Sequence, residues 1–455
     1  MSAAGLPGGG RGRGVFPNDL DRDKHPLKTR FWGVYLGTLV MIAVAATFIS
    51  PRTLPYTAPF LLLAVVQGAL SRRQLPGLIP PLRGGSLLIA AFTSYVAASA
   101  LWAEMPLVPL AHAAGAAVCF AGSGFAARSF LSEPRRNIFH IGEGLWLAVA
   151  AGLIYLLVEI LTHQSLKLHI YNALALAPGD LRPPGFFTWN GARLISIAPD
   201  DLKRSIAAVS LFLWPGLLAI EGTAPRRYAR SLMAGLFILA SAVILFSVHS
   251  TSKGALIGGV LVFAFASLRP LWSERVLRFG WVAACLAIIP MALVLHRAGL
   301  HKASWVQPSM QHRIVIWNYT AVQTLKAPVL GIGAGMMYER FGAQIIEKEP
   351  EAYDPRVPHA HNLYLQIWFE LGVVGAVFLT LMGLAILERI RRLGPHLAPY
   401  AQAAFMSAAI IASSSYGMWQ GWFLIMYALT VVLFAIAVRT VIHKERTPGL
   451  VHALG

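Results

Sequence analysis

Acidic side chains are scarce in this 455-residue chain: 20 Asp and Glu stand against 38 Lys and Arg, and charge of both signs makes up only 13% of the sequence. A soluble fold of this size covers its surface with charge. The shortage, together with 56% hydrophobic residues and a mean hydropathy of +0.60, excludes a soluble fold and indicates a polytopic membrane protein. Cysteine is nearly absent too. Cys119 and Cys285 both fall inside apolar runs, so neither a disulfide framework nor a cysteine metal site is expected. No internal repeat and no separate soluble segment interrupts the pattern, and the chain reads as a single transmembrane domain over 1–455.

Apolar runs near the roughly 20 residues that cross hydrocarbon as a helix lie at 31–49, 54–70, 86–102, 107–130, 138–162, 204–221, 229–249, 251–268, 278–296, 363–388, 399–417 and 421–443. They predict an all-α membrane fold of about twelve transmembrane helices. The basic residues sort by loop. Five alternate short loops carry three arginines each: Arg72, Arg73 and Arg83; Arg128, Arg135 and Arg136; Arg226, Arg227 and Arg230; Arg269, Arg275 and Arg278; Arg389, Arg391 and Arg392. The tail 1–30 and the C-terminal Arg439, Lys444 and Arg446 extend the same face. By the positive-inside rule this face is cytoplasmic, with both termini on it. The formal charge of +18 is then a topology signal, and no nucleic-acid partner is expected. The first run follows a polar, Gly-rich tail and lacks a small-residue cleavage site after it, so it is expected to be a retained helix.

Two outward loops, 163–203 and 297–362, are long enough to carry a site. In the second, Ile314, Trp317, Ala321 and Leu325 recur at helical spacing, predicting a short amphipathic helix on the membrane surface that ends at Pro328. Gly331-Ile332-Gly333-Ala334-Gly335 lacks the spacing and setting of a phosphate-binding fingerprint and reads as a tight turn. The loop closes with His359-Ala360-His361-Asn362 before the run starting at Leu363. Asn362 suits a helix N-cap. His361 then sits where the positive end of a helix favours an anion, and a neutral imidazole there can take a proton from a hydroxyl.

Three outward cations, Arg182, Lys253 and Arg313, either snorkel to lipid headgroups or form an anion clamp suited to phosphate. Asp19, Asp21 and Asp23 lie in the cytoplasmic tail. Asp200, Asp201, Glu347, Glu349 and Glu351 read as solvated loop charges, and Asp354 and Glu351 give no recognisable metal spacing. No metal and no cofactor is expected. Glu143 and Glu370 fall within apolar runs; Glu370 lies too deep to reach His361 along one helix and reads as a packing group.

The chain resembles the bacterial O-antigen ligases, within the superfamily that also holds O-antigen polymerases and some protein O-oligosaccharyltransferases. The resemblance covers roughly 180–375. It rests on the twelve-span plan, the large outward loop before the tenth span, His361-Asn362-Leu363-Tyr364-Leu365 leading to Glu370-Leu371-Gly372, Arg313 and Trp317 followed by Leu330-Gly331-Ile332-Gly333, and Arg182 with Gly185-Phe186 and Asn190. One departure is Ser252-Lys253-Gly254, where a Ser-Arg-Gly type motif is usual; the charge is kept and the bidentate fork is lost.

The resemblance implies a GT-C-like helical membrane fold with a periplasmic cap, in the inner membrane of a Gram-negative bacterium. It implies a glycosyltransferase of lipopolysaccharide biosynthesis that moves O-antigen glycan from undecaprenyl diphosphate to a hydroxyl of lipid A-core. In that reading His361 is the general base with His359 beside it, Arg182, Lys253 and Arg313 bind the diphosphate, and Asn362 and Asn190 support the site. Transfer inverts the anomeric centre and needs no metal, and the partners are the lipid-linked donor, the lipid A-core acceptor and membrane lipids. A polymerase, a protein O-oligosaccharyltransferase and, from another class, a flippase or transporter for lipid-linked sugars remain open on these residues.

Overall fold

The computed structural model describes residues 26–72, 84–176, 184–337, 359–414 and 416–445. The Gly-rich tail with Asp19, Asp21 and Asp23, together with Arg182, Glu347, Glu349, Glu351 and Asp354, lies outside the described residues.

The helices, in chain order, are α1 (Pro26–Ile49), α2 (Leu54–Ser71), α3 (Gly85–Ala98), α4 (Leu107–Ser132), α5 (Arg135–Leu161), α6 (Ser165–Ala173), α7 (Lys203–Thr223), α8 (Arg226–Phe246), α9 (Ser250–Leu268), α10 (Pro270–Leu286), α11 (Ile288–Arg297), α12 (Pro308–Thr324), α13 (Leu363–Arg391), α14 (Ala398–Ser414) and α15 (Gly421–Glu445). The protein is an all-α, multi-pass membrane fold. One departure from pure helix is a hairpin of β1 (Phe187–Asn190) and β2 (Arg193–Ile197) in the first outward loop. It was not legible as strand, because its apolar residues, Phe187, Leu194 and Ile197, form a small cluster with one another and the loop's other side chains.

Each of the twelve expected spans carries helix, but not with equal length. Nine described helices are long and apolar enough to cross a membrane, and the pair α10–α11, bent by 68°, makes a tenth. The bend falls where Pro290 enters α11: proline has no N–H to give and its ring collides with the carbonyl four residues back. The expected third span is shortened to the 14 residues of α3, because the chain turns at Ser99, whose Oγ accepts the Ala334 N–H at 3.1 Å. The expected eleventh is the 17-residue α14; it stops at Ser414, whose hydroxyl meets that of Thr251 at 2.9 Å.

Helix α7 is the hub. It is buried almost throughout and touches α1, α5, α8, α14 and α15. Between α1 and α5, Gly37 and Gly144 let two backbones meet, with a Cβ at Gly144 falling 2.7 Å from the Gly37 carbonyl oxygen; in lipid, such close approach supplies the packing that hydrophobic exclusion cannot.

Loop pairing brings together several of the residues expected on one face. Arg278 bridges Glu274 at 2.9 Å and Glu388 at 2.7 Å, and Glu388 also holds Arg391 and Arg392. Arg72 pairs with Glu133, whose carbonyl accepts from Arg439, and Lys444 donates to the Glu221 and Ala224 carbonyls. Residues expected on one face therefore meet one another. At the other end, Lys167 meets Asp201 and Ser250 meets Gln307.

The loop 297–362 leads into α13, which is broken. Gly372 has φ 63° and ψ −162° inside it, a region open essentially to glycine alone. The groups freed there are taken up by the 328–337 segment: Val373 N–H donates to the Pro328 carbonyl at 2.8 Å and Gly333 N–H to the Glu370 carbonyl at 2.9 Å. Tyr95 Oη donates to the Leu371 carbonyl at 2.8 Å. The buried Glu370 carboxylate accepts from Gly335 N–H at 2.9 Å, Met337 N–H at 3.4 Å, Gln366 Nε2 at 3.1 Å and Trp419 Nε1. Gly331 to Gly335 is thus a turn folded over Glu370, and the Glu370 carboxyl group is a structural acceptor that clamps loop to helix.

Gly372→Ala should destabilise the protein by at least about 1–3 kcal/mol, the usual cost of a forbidden backbone region. Gly124→Ala, in helix with nothing within 4 Å of the new Cβ, should be neutral. Thermal unfolding of both in detergent checks this; equal melting temperatures would contradict it.

Candidate active site

The site is built on the turn from α12 to α13. Asn362, with φ −151° and ψ 110°, caps α13 through its side chain, which accepts the Leu365 N–H at 3.0 Å. One residue earlier, His361 has φ +52°, a left-handed value that is costly for a residue with a side chain. It is held there from three sides. The cap fixes the residue after it; Trp317 Nε1 on α12 donates to the Ala360 carbonyl at 3.0 Å; and His361 N–H donates to His359 Nδ1 at 3.3 Å.

That last bond settles a tautomer. With Nδ1 accepting, the proton of a neutral His359 is on Nε2. The His359 and His361 rings stand edge to face with centroids 4.2 Å apart. His359 is buried and its back is pressed by Gly417, where a Cβ would come 2.9 Å from the His359 Cβ. His361 is half-buried. Burial, then the neighbouring His361, Arg313 and Arg204, push His359 well below the ordinary histidine value.

Two arginines therefore share this neighbourhood. Arg313 lies in the first turns of α12, and its own burial pulls it below the ordinary arginine value. Arg204 opens α7 and lies over the Trp422 ring at 5.9 Å. Neither has an ion-pair partner among the described residues. Both act on the Tyr416 phenol, but burial outweighs them and raises it above the usual tyrosine value; its buried Oη lacks a hydrogen-bond partner among the described residues. His249, the residue before α9, lies with its ring 6.2 Å from that of Tyr416 and tilted by 33°, and meets Ser252 Oγ through Nδ1 at 2.7 Å. Burial first, then Arg313 and Lys203, lower it to about 3.

The structure thus gathers His359, His361, Asn362 and Arg313 from the residues singled out in sequence. Lys253 is half-buried on the first turn of α9, but the cations acting on the two buried histidines are Arg313, Arg204 and Lys203. Asn190 is exposed at the hairpin tip, opposite Arg193, with no contact to the histidine pair recorded among the described residues. Helix α12 forms as expected, but its apolar face is covered by protein rather than lipid: Trp317 and Ala321 pack on Cys285, Ile288, Ile289 and Ala292 of α10 and α11 and on Tyr364 and Leu365. Leu325 falls past its end and is exposed.

Residues 207–380 match the family model described as O-antigen ligase. This segment is O-antigen ligase-like. It contains Lys253, Arg313, His359, His361 and Asn362. Over about half of its length the chain is also similar to rickettsial proteins that carry the name polysaccharide ligase: 27% identity over 248 residues with one from Rickettsia conorii, covering 54% of this chain and 59% of the relative, and 26% over 242 residues with one from Rickettsia felis, covering 52% and 58%. The chain spans less than two thirds of the length of these relatives.

Arg204 and Tyr416 were missed in the sequence. Arg204 had a signal: Lys203-Arg204 opens a helix on the face expected to be outward, against the positive-inside bias. The preceding Asp200 and Asp201 hid it as apparent solvated charges, whereas Asp200 pairs with Lys203 and Asp201 with the buried Lys167, leaving Arg204 over. Tyr416 has no comparable signal. Among the described residues no group of three His, Cys, Asp or Glu could hold a metal.

His359 and His249 are both held neutral, with folded values below the roughly 6.5 of an unfolded histidine. The unfolded chain then binds protons first as pH falls. Stability should be full above pH about 6.5 and decline below it, by up to about 1.4 kcal/mol per pH unit for each group. Melting temperature measured from pH 7.5 to 5 should fall, and His249→Gln should flatten the slope; a slope unchanged by the substitution would contradict the assignment.

Proposed function

We propose that the protein is an O-antigen ligase, an inverting and metal-independent glycosyltransferase that moves O-antigen glycan from undecaprenyl diphosphate to a hydroxyl of lipid A-core. The observation that carries this reading is a histidine pair at a helix N-terminus whose His359 is held neutral and lies within electrostatic reach of two arginines that have no carboxylate partner among the described residues. Such a centre offers a base for a hydroxyl and cations for an anion. A nucleotide sugar is not required, because the lipid diphosphate is itself the leaving group. The family match over 207–380 supports the same chemistry.

In this mechanism the acceptor hydroxyl gives its proton to His361. Its oxygen forms a bond to the anomeric carbon of the donor from the face opposite the diphosphate, and the bond from that carbon to the diphosphate oxygen breaks. The electron pair leaves with the diphosphate, where Arg313 and Arg204 meet the growing charge. Their fixed positive charge does the work for which a divalent ion is otherwise used. His359 acts by position: its Nδ1 holds the backbone N–H of His361 and with it the strained turn. Lys253 and Arg182 complete the proposed set of diphosphate contacts, Lys253 as a point charge, and Asn362 and Asn190 remain supporting groups. The arginine-rich loops support a cytoplasmic location for both termini in the inner membrane and a periplasmic site on loops 163–203 and 297–362.

His361→Ala should lower transfer by about 10²–10⁴-fold, the usual contribution of a general base, with the protein still folded. His359→Ala should cost less. Arg313→Lys should be damaging because a point charge cannot reproduce two parallel hydrogen bonds, and Arg204→Ala should lower turnover likewise. The assay is transfer from a purified lipid-diphosphate glycan to lipid A-core by folded variants. A His361→Ala variant within a few-fold of wild type, or wild-type rates from both arginine variants, would overturn the assignment.

A further inference from the structure

A cavity of about 260 Å³ lies beside the site, among the outward ends of α5, α7, α8 and α9. It is lined by Glu159, His163 and Gln164 on one stretch of chain, by Lys203, and by Phe246 and His249 on another. Nothing in the mechanism above uses it. We propose that this cavity is the subsite for the first sugar of the donor, the ring bonded to the diphosphate; the proposal rests on the ligase reading given above.

Four observations lead there. The volume is just under the roughly 300–1,000 Å³ of small-molecule sites, which suits one sugar ring and is too small for a lipid chain of many carbons. The walls are mixed, with apolar Ile160, Leu202 and Ile206 beside the polar groups, as a sugar with apolar ring faces and hydroxyl edges requires. Gln164 is 2% exposed; its Nε2 is committed to the Ile197 carbonyl at 3.2 Å and the Ala198 carbonyl at 2.9 Å, while its buried Oε1 has no partner among the described residues. A buried acceptor left over in this way calls for a donor such as a ligand hydroxyl or a water.

Position supplies the fourth. Lys203 and Arg204 are consecutive in the first turn of α7 and serve opposite sides: Lys203 lines the cavity, and Arg204 acts on His359 and Tyr416. His249 lines the same cavity and feels Arg313. The cavity thus adjoins the residue before Arg204 and carries a histidine that feels Arg313. That is the place of the ring attached to a diphosphate held by Arg204 and Arg313, rather than of the acceptor. His163 and Gln164, with φ of 51° and 62°, hold a left-handed turn in the lining, and Glu159 Oε1 fixes it by accepting the Lys167 N–H at 2.9 Å.

The test compares two soluble probes, farnesyl diphosphate and the same compound carrying one N-acetylhexosamine, by calorimetry on the full chain in nanodiscs. Wild type should bind the sugar-bearing probe at least about tenfold more tightly. Val248→Trp, at an exposed rim residue, fills the cavity without touching the arginines; it should erase that difference and leave farnesyl diphosphate binding unchanged. Gln164→Met, which removes the acceptor, should reduce it partly. If wild type binds both probes equally, or Val248→Trp keeps the preference, the subsite is wrong while the diphosphate site stands. If wild type binds neither, the ligase reading fails and the subsite with it.

Discussion

Two half-buried guanidinium groups beside aromatic and histidine side chains, with no carboxylate paired to them among the described residues, set the character of this end of the protein. A partly desolvated cation without a partner is costly, and an anion arriving there reduces the cost. The same positive field disfavours protonation of whatever lies near. Together with burial, the larger cause, it keeps His359 and His249 neutral. In the proposed reading, base and anion site are one electrostatic arrangement.

That arrangement depends on precise backbone support, and the support comes from further down the chain. Glu370 gathers loop N–H groups and indole around a single buried carboxylate, Gly372 breaks α13 so that the 328–337 segment can enter, and Trp317 holds the carbonyl between the two histidines. The left-handed turn at His361 is tolerable because cap, indole and imidazole all require it. The turn is therefore held firmly where the proposed base sits, as an attack geometry demands.

Much of this was legible in the sequence, and the reasons differ by residue. The helices were readable because each buries an apolar run of membrane length, and the alternating arginines gave their pairing. The Asn362 cap was readable because cap chemistry is local. The role of Glu370 as a packing group followed from its depth, although its partners could not. Arg204 was obscured because the acids beside it are consumed by Lys203 and Lys167, a matter of tertiary pairing. Tyr416 and the cavity at Gln164 belong to contacts between segments distant in the chain, which leave no period or motif. The broken helices escaped for the same reason: hydropathy records length and apolarity, while Pro290 and Gly372 act through geometry.

The central claim is that the protein's own cations carry the charge of the departing diphosphate. The most direct test is transfer by the purified protein, from a lipid-diphosphate glycan to lipid A-core, in a large excess of EDTA over any divalent ion. The account predicts a rate indistinguishable from that with added magnesium or calcium. Loss of transfer in the chelator and its return with a divalent ion would contradict it.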